Sequence, residues 1–221
     1  MRKINYKKFG FTLAEVLITL GVIGVVAAMT MPTVIKNYQK QVTVNKLKKA
    51  YTSLSNAVQM SKTVNGEVKD WDIKFDGKLQ STSDFADKYL IPYMKVVKAC
   101  KTNKTGDCGI KVDSGGSNDA NMTSFFTNDG VKYFAGNGYG NNGLITSSYI
   151  IYIDINGNNK PNKFGKDVFI FQISINKGIL IANSVNSDKT TIDKYCSKNV
   201  GISCAAKIIK AGWKIEDDYP W

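Results

Sequence analysis

The interpretation of the whole chain depends on one stretch, Gly10-Phe11-Thr12-Leu13-Ala14-Glu15-Val16-Leu17-Ile18-Thr19-Leu20. The apolar run that begins here continues to Met31, and its only charged residue is Glu15. A helix of this length and apolarity is long enough to cross a bilayer. A carboxylate inside such a span costs roughly 2–3 kcal/mol near the helix centre and less near an end, so its presence indicates a function.

The order of the N-terminal parts differs from that of an ordinary secretory signal. Such a signal has a basic region, then an apolar region, then a cleavage site of small residues. Here the small residue, Gly10, lies between a basic leader and the apolar run, and the later segment Val26-Ala27-Ala28-Met29 is a weak cleavage candidate. The alternative is a plain signal anchor in which Gly10 and Glu15 occur by chance.

This arrangement resembles the N-terminus of type IV prepilins and type II secretion pseudopilins. Their hallmark is a glycine, a Phe or Met, three apolar or small residues, and then glutamate. Gly10, Phe11 and Glu15 occupy those places in this chain, and Pro32 falls where many pilins have a helix-bending proline. The resemblance implies that a prepilin peptidase cuts between Gly10 and Phe11 and methylates the new amine of Phe11.

The resemblance also implies a role for Glu15 in assembly. Glu15 lies four residues after Phe11, on the same face of a helix. In an apolar setting its carboxylate needs a cation, and the amine of Phe11, on this or a neighbouring subunit, is available. Such pairing selects packing and register between subunits, as buried polar groups do in some assemblies.

The apolar helix is predicted to continue as an amphipathic one to about Val64. Apolar residues recur there at steps of three and four, and Asn65-Gly66 is a helix stop. The residues that form the stripe are Val44, Leu47, Tyr51, Leu54 and Val58. We expect this stripe to pack on a sheet.

The hydrophobic period changes to two after residue 121, which predicts β-strands. The predicted strands are 122–127, 131–135, 144–155, 168–175 and 179–183, with a Gly/Asn-rich loop at 136–143. The pattern predicts an antiparallel sheet of four or five strands and an α+β fold class. One long N-terminal helix packed on such a sheet is the layout of type IV pilins. The predicted domains are a leader peptide (1–10), a transmembrane and assembly helix (11–35), and the amphipathic helix half with a C-terminal globular pilin domain (36–221).

The four cysteines form two pairs with equal spacing, Cys100 with Cys108 and Cys196 with Cys204. Four cysteines allow three disulfide connectivities, and the two local loops are our choice. A metal site is the rival. It is disfavoured because neither pair is Cys-x-x-Cys and the chain has no histidine. Disulfides imply an oxidising compartment, which places the globular domain outside the cytoplasm.

One loop is a candidate calcium site, and calcium is the only cofactor predicted. Asp154, Asn156 and Asn158 have the one-three-five oxygen spacing that opens calcium loops, and Asp167 follows. Lys160 and the lack of a bidentate glutamate count against binding. Some pseudopilins hold calcium in a C-terminal loop, so the resemblance favours it. The alternative is an Asx-rich turn that satisfies its own backbone.

The sequence therefore predicts a structural subunit of a type IV pilus or a type II secretion-like pseudopilus, not an enzyme. Without histidine, Ser/His and Cys/His dyads are excluded. The expected partners are prepilin peptidase, other pilin or pseudopilin subunits and the membrane. The expected location is the inner membrane, single-pass, with the domain on the periplasmic or extracellular side. Two alternatives remain: a DNA-uptake pilin that binds nucleic acid, and a monomeric membrane-tethered binding domain.

Processing after Gly10 predicts a defined mature mass. The mass of the N-terminal peptide of the membrane-extracted protein should be that of a chain that begins at Phe11 and carries one methyl group, because the peptidase removes the leader and methylates Phe11. A mature chain that begins at Met1, or one cut after Ala28, would contradict the prediction.

Overall fold

A long helix, α1 (Leu13–Asn65), is the first element of the computed structural model, which describes residues 10–74, 78–100, 108–109, 112, 122–139 and 145–221. The helix has 53 residues and contains Pro32. It ends at Gly66, whose φ of 79° is the left-handed conformation that glycine adopts after a helix C-terminus, and whose N–H donates to the Lys62 carbonyl at 3.0 Å. The predicted helix, from Phe11 to about Val64, is therefore confirmed within two residues.

The chain divides into two compact units, one that ends at Gln41 and one from Val42 to Trp221. In the described part of the first unit, the apolar side chains of α1 are exposed, including Leu17, Ile18 and Ile23. Among the described residues, α1 is the one helix long and apolar enough to cross a membrane. A continuous apolar surface of this kind needs lipid or a partner to remove it from water.

The second unit is built on a six-stranded antiparallel sheet whose spatial order is the order of the chain. Each strand pairs with its sequence neighbours, so the sheet is a simple meander. The strands are β1 (Val96–Cys100), β2 (Thr123–Thr127), β3 (Lys132–Tyr139), β4 (Ile145–Asp154), β5 (Val168–Ser174) and β6 (Ile179–Ala182).

The second half of α1 packs on one face of this sheet. Leu47, Leu54 and Val58 are fully buried there, together with Ala50. The inward-facing strand residues alternate with outward-facing ones, as period two requires. They include Phe125, Tyr133, Ile151, Ile153, Phe169 and Phe171. The Tyr133 hydroxyl donates to the Ala50 carbonyl at 3.2 Å, so a polar contact also joins sheet and helix.

The opposite face of the sheet carries a second, smaller apolar cluster. It consists of Met122, Phe134, Tyr152, Val168 and Ile170. Because alternate residues of a strand share a face, Lys132 lies on this face two positions before Phe134. Asp154, two positions after Tyr152, lies there too, and Lys132 and Asp154 are register partners of β3 and β4.

Short helices complete the unit: α2 (Leu79–Tyr89), α3 (Lys189–Tyr195) and α4 (Cys204–Lys210), with 3-10 turns at Val68–Asp70 and Ile91–Tyr93. The side chains of α2 extend the main core. Phe85 stacks on Tyr149 of β4 with ring centroids 3.6 Å apart, and Tyr89 stacks on Trp71 at 4.4 Å. The Asp188 side chain caps α3 by accepting the Thr191 N–H at 2.8 Å.

The α+β fold with a long N-terminal helix is confirmed, but two strand predictions were wrong in detail. Val96–Cys100, which was not among the predicted strands, is the edge strand β1, so the sheet has six strands where four or five were predicted. Its short, mixed sequence carries no alternation strong enough to indicate a strand.

The predicted loop at 136–143 is in part a strand, since β3 continues to Tyr139. A Cβ at Gly136 would lie 2.5 Å from Cγ of Met122, the residue that precedes β2, so the Met122 side chain would have to shift. The glycine therefore marks close packing against the neighbouring chain segment, where we had predicted a loop. Residues 140–143 lie outside the described residues.

The stripe on α1 predicts where stability is lost. Leu54→Ala should destabilise the second unit by about 2–5 kcal/mol, because it removes a fully buried side chain and leaves a cavity. Urea unfolding of the detergent-solubilised chain, followed by the fluorescence of its tryptophans, measures the change. Met60→Ala on the same helix is the control, since Met60 is exposed and its truncation should cost little. Equal losses for the two variants would contradict the packing described.

Candidate functional site

Glu15 and Thr12 cap the N-terminus of α1 reciprocally. Oε2 of Glu15 accepts hydrogen bonds from the backbone N–H and the hydroxyl of Thr12, both at 2.8 Å. In return, the Glu15 N–H donates to Oγ1 of Thr12 at 3.2 Å. This is a capping box, in which the first residue and the residue three later satisfy each other's backbone donors. The capping box was not predicted, although the sequence contains its signature, Thr12-x-x-Glu15.

The cap holds the Glu15 carboxylate at the helix end where the backbone dipole favours an anion. Gly10, Phe11 and Glu15 thus lie within about one turn of each other. The Phe11 side chain is 89 % exposed and Gly10 is exposed as well. Apart from Gly10, the predicted leader lies outside the described residues. The first turn therefore places a carboxylate, an accessible Phe11 and the predicted cleavage bond together.

Pro32 lies inside α1, which is helical on both sides of it. Proline has no N–H, so the carbonyl of Ala28 receives no helical hydrogen bond from it. Nearby, the Thr30 hydroxyl donates to the Val26 carbonyl at 3.0 Å, a contact that is common where helices bend. The bend itself stays a prediction.

All four cysteines are paired, Cys100 with Cys108 and Cys196 with Cys204, with Cα atoms 5.6 Å and 4.6 Å apart. The first disulfide is tied to β2 by two side chains. The Thr123 hydroxyl donates to the Cys100 carbonyl at 2.9 Å, and the Ser124 hydroxyl donates to the Cys108 carbonyl at 3.1 Å. The interior of this cysteine loop, 101–107, lies outside the described residues.

The second disulfide joins the end of α3 to the start of α4 and supports the 154–167 loop. Gly165 has a φ of 81°, and a Cβ there would lie 2.7 Å from Sγ of Cys204. The hydroxyl of buried Tyr219 donates to the Gly165 carbonyl. The C-terminal segment and the disulfide therefore fix the second half of this loop.

Asp167 organises the loop through the backbone. One carboxylate oxygen accepts the Asn162 N–H at 2.7 Å and the other accepts the Lys163 N–H at 2.6 Å. The side-chain amide of Asn156 donates to the same carboxylate at 3.2 Å. Burial raises the pKa of Asp167, although these hydrogen bonds oppose the shift. Asp167 thus behaves as the Asx-turn alternative describes.

Asp154 is buried at the end of β4, and burial raises its pKa to about 7. The Asn156 N–H, which donates to Oδ1 at 3.2 Å, and the positive charge of Lys132 lower the pKa, while Asp167 raises it. The two buried carboxyl groups therefore influence each other within one loop.

The described residues give mixed support for a calcium ion. In favour, Oδ1 of Asn156 and Oδ1 of Asn162 are buried and accept no hydrogen bond from the described residues. Against it, Oδ1 of Asn158 accepts a hydrogen bond from Nζ of Lys132 at 2.9 Å, which brings a positive charge to the loop. In the described ranges, no three His, Cys, Asp or Glu side chains form a metal-binding group. Calcium binding by Asp154, Asn156, Asn158 and Asp167 stays a prediction.

Two family matches divide the chain close to Pro32. Residues 5–31 match the prokaryotic N-terminal methylation motif, and residues 33–221 match a family of unknown function, DUF6613. The chain belongs to the DUF6613 family. No curated protein and no solved structure matches it.

The methylation motif is the signal of type IV pilins and pseudopilins, so the resemblance recognised in the sequence is confirmed. Together with the apolar helix, it indicates a pilin-like, membrane-anchored subunit with one span. The DUF6613 match contains the sheet, both disulfides and the 154–167 loop. The methylation motif gives no information about the function of these parts of the chain.

Calcium binding predicts a stabilisation that depends on Asn156. Calcium at ten times its Kd should stabilise the detergent-solubilised chain by about 1.4 kcal/mol, because the ion binds the folded state. The melting temperature in calcium and in EDTA measures this effect. Asn156→Ala should abolish it, while Asn159→Ala, which removes a neighbouring amide outside the one-three-five pattern, should retain it. A wild-type melting temperature that is the same in calcium and in EDTA would show that the loop is a turn that does not bind calcium.

Proposed function

We propose that this protein is a structural subunit of a type IV pilus or type II secretion-like pseudopilus. It is cut by prepilin peptidase after Gly10, methylated on Phe11 and polymerised through α1. The observation that carries the proposal is the methylation motif at residues 5–31, which coincides with a capped, exposed apolar helix. The domain from residue 36 onward lies outside the cytoplasm, where its two disulfides persist.

The exposed surface of α1 gives a physical reason for assembly. Before assembly, lipid covers the apolar side chains between Phe11 and Met31. Within a filament, α1 helices of neighbouring subunits pack against these side chains and take the place of the lipid. Apolar packing alone gives little register, since lipid tails and leucine side chains are similarly apolar. The single carboxylate, Glu15, supplies the register by pairing with the amine of Phe11 on a neighbour.

DNA uptake is the alternative that would use the lysines in the second half of α1. Two of them, Lys48 and Lys49, already have partners in the chain. Lys49 pairs with Asp129 at 3.0 Å, and Nζ of Lys48 lies 5.9 Å from the ring centroid of Trp213. These contacts compete with phosphate groups for the two ammonium groups. We therefore place the structural role first, and salt-dependent binding of DNA by the purified protein would favour the alternative.

An apolar residue in place of Glu15 would remove both the cap and the charge, so such a variant cannot show which of the two matters for assembly. Glu15→Gln separates them, since glutamine also serves at this capping position. Thr12→Val is the matched control: it removes the cap, which costs about 1 kcal/mol, and retains the charge.

We expect Glu15→Gln to remain membrane-anchored but to enter filaments at least tenfold less than the wild type. The reason is that an amine left without its partner in an apolar interface costs about 3–5 kcal/mol. The fraction of chain recovered in sheared filaments, against the fraction in membranes, measures incorporation. Thr12→Val should assemble nearly as well as the wild type. If Glu15→Gln assembles normally while Thr12→Val does not, Glu15 acts as a cap and the pairing role is rejected.

A further inference from the structure

Lys132 is fully buried, which is rare for a charged residue in a globular domain. It begins β3 on the sheet face opposite α1. Its Nζ lies 4.6 Å from the ring centroid of Phe134 and 5.0 Å from that of Phe126. The rings attract the ammonium form of Lys132, so a base must remove a proton before the amine can act as a nucleophile.

The amine is aimed at a side-chain amide. Nζ of Lys132 lies 2.9 Å from Oδ1 of Asn158 and 2.8 Å from the carbonyl oxygen of Gly109. A carbonyl bond is about 1.2 Å long, so the carbon of the Asn158 amide is at most about 4.1 Å from Nζ. That is close to the separation of reacting atoms in a near-attack geometry, about 3–3.5 Å.

A carboxyl group lies on the residue directly opposite Lys132 in the sheet. Asp154 is the register partner of Lys132 across β3 and β4, on the same face, and is 3 % exposed. Side chains of directly opposite residues in an antiparallel pair have Cβ atoms about 4.5–5.5 Å apart. A buried amine, an amide carbonyl and a carboxyl group are thus arranged as nucleophile, electrophile and proton carrier.

We propose that Lys132 and Asn158 become joined by an intramolecular isopeptide bond. Asp154 first takes a proton from the Nζ ammonium, and the lone pair so freed attacks the amide carbon of Asn158. Asp154 passes that proton to Nδ2, the bond between the amide carbon and Nδ2 breaks, and the nitrogen leaves as ammonia while Asp154 takes up the second proton of Nζ. The product is a secondary amide, no oxidant or cofactor is consumed, and the mass falls by that of one ammonia molecule.

Lys207 shows what distinguishes this site from an ordinary ion pair. Its Nζ contacts the carboxylates of Asp193 and Asp218, both at 2.8 Å. A carboxylate gives up oxygen far less readily than an amide gives up ammonia, so this contact is electrostatic. At Lys132 the contacted side chain is a half-buried amide, and a separate carboxyl group lies on the opposite residue, Asp154.

The bond would fasten the 154–167 loop to the sheet across β3 and β4. Gly157 already brings the loop close to the β2–β3 turn, since a Cβ there would lie 3.0 Å from the Gly130 carbonyl oxygen. A covalent link at Asn158 would keep this loop closed under mechanical load, which a hydrogen bond cannot do. The inference concerns this chain's own chemistry and holds whether or not it assembles into filaments.

The test is the mass of the full-length, detergent-solubilised protein after reduction and denaturation. We expect a mass one ammonia lower than the processed sequence requires. A tryptic digest should contain a branched peptide that joins Lys132 to Asn158, with no cleavage after Lys132. An unshifted mass in a folded wild-type chain overturns the proposal.

Matched variants separate the bond from other losses of ammonia. Asn-Gly sequences such as Asn156-Gly157 form succinimides with the same mass change, and those survive Lys132→Met. Both Lys132→Met and Asn158→Ala should restore the full mass, while Asn159→Ala should leave the bond in place. A mass loss that persists in Lys132→Met overturns the proposal. Lys132→Met keeps the length of the side chain, and tryptophan fluorescence checks that each variant folds.

Asp154→Asn tests the proton carrier. This variant retains the amine, the amide and nearly the same shape, so we expect a folded chain that lacks the branched peptide. A purely structural role for Asp154 would change the melting temperature but leave the bond intact. A folded Asp154→Asn chain with the bond present would remove Asp154 from the proposal.

Discussion

The structure of the second unit depends on the burial of one stripe of α1 against one face of the sheet. Leu47, Leu54 and Val58 fix which face of the helix points inward, and alternation along the strands then fixes which residues meet it. A strand shifted by one position would expose its core residues and bury its polar ones. Tyr133 faces the helix for this reason, and Lys132 next to it faces the other way. The polar group on the far side of the sheet is thus a consequence of the apolar packing on the near side.

Much of the fold could be predicted because it depends on periodicity. The α1 stripe, the long strands near 145–154 and 168–174 and the hairpin at Asn128-Asp129-Gly130 all have strong local patterns. The edge strand β1 could not be predicted, because its pairing partner lies beyond a long intervening segment and its own sequence does not alternate. At Gly136 the error was the opposite one, because a loop was predicted where the chain forms a strand. A Cβ there would meet the Met122 side chain, which lies just before β2, and no local pattern contains that information.

The functional residues, too, could be predicted where the pattern is local but not where it depends on residues distant in sequence. Gly10, Phe11 and Glu15 could be recognised because they lie close together in the sequence and form one motif, and the motif match agrees. The oxygen spacing of Asp154, Asn156 and Asn158 was visible too, but not the amine that reaches Asn158. Lys132 is separated from that loop in sequence, and a lysine after a hairpin turn normally indicates a solvated strand end. A charged residue becomes informative only when its burial is known.

The strand order has a consequence for how this domain forms. Because every strand pairs with the strand next to it in the chain, the sheet grows by adding one hairpin at a time. From β2 to β6 such local pairing requires little loop closure at each step, whereas residues 101–122 separate β1 from β2. A chain that is delivered from its N-terminus can therefore add strands in order, from β2 towards β6. The last segment to emerge carries Cys204 and Tyr219, which close over Gly165, so the domain is completed only when its C-terminus has been delivered.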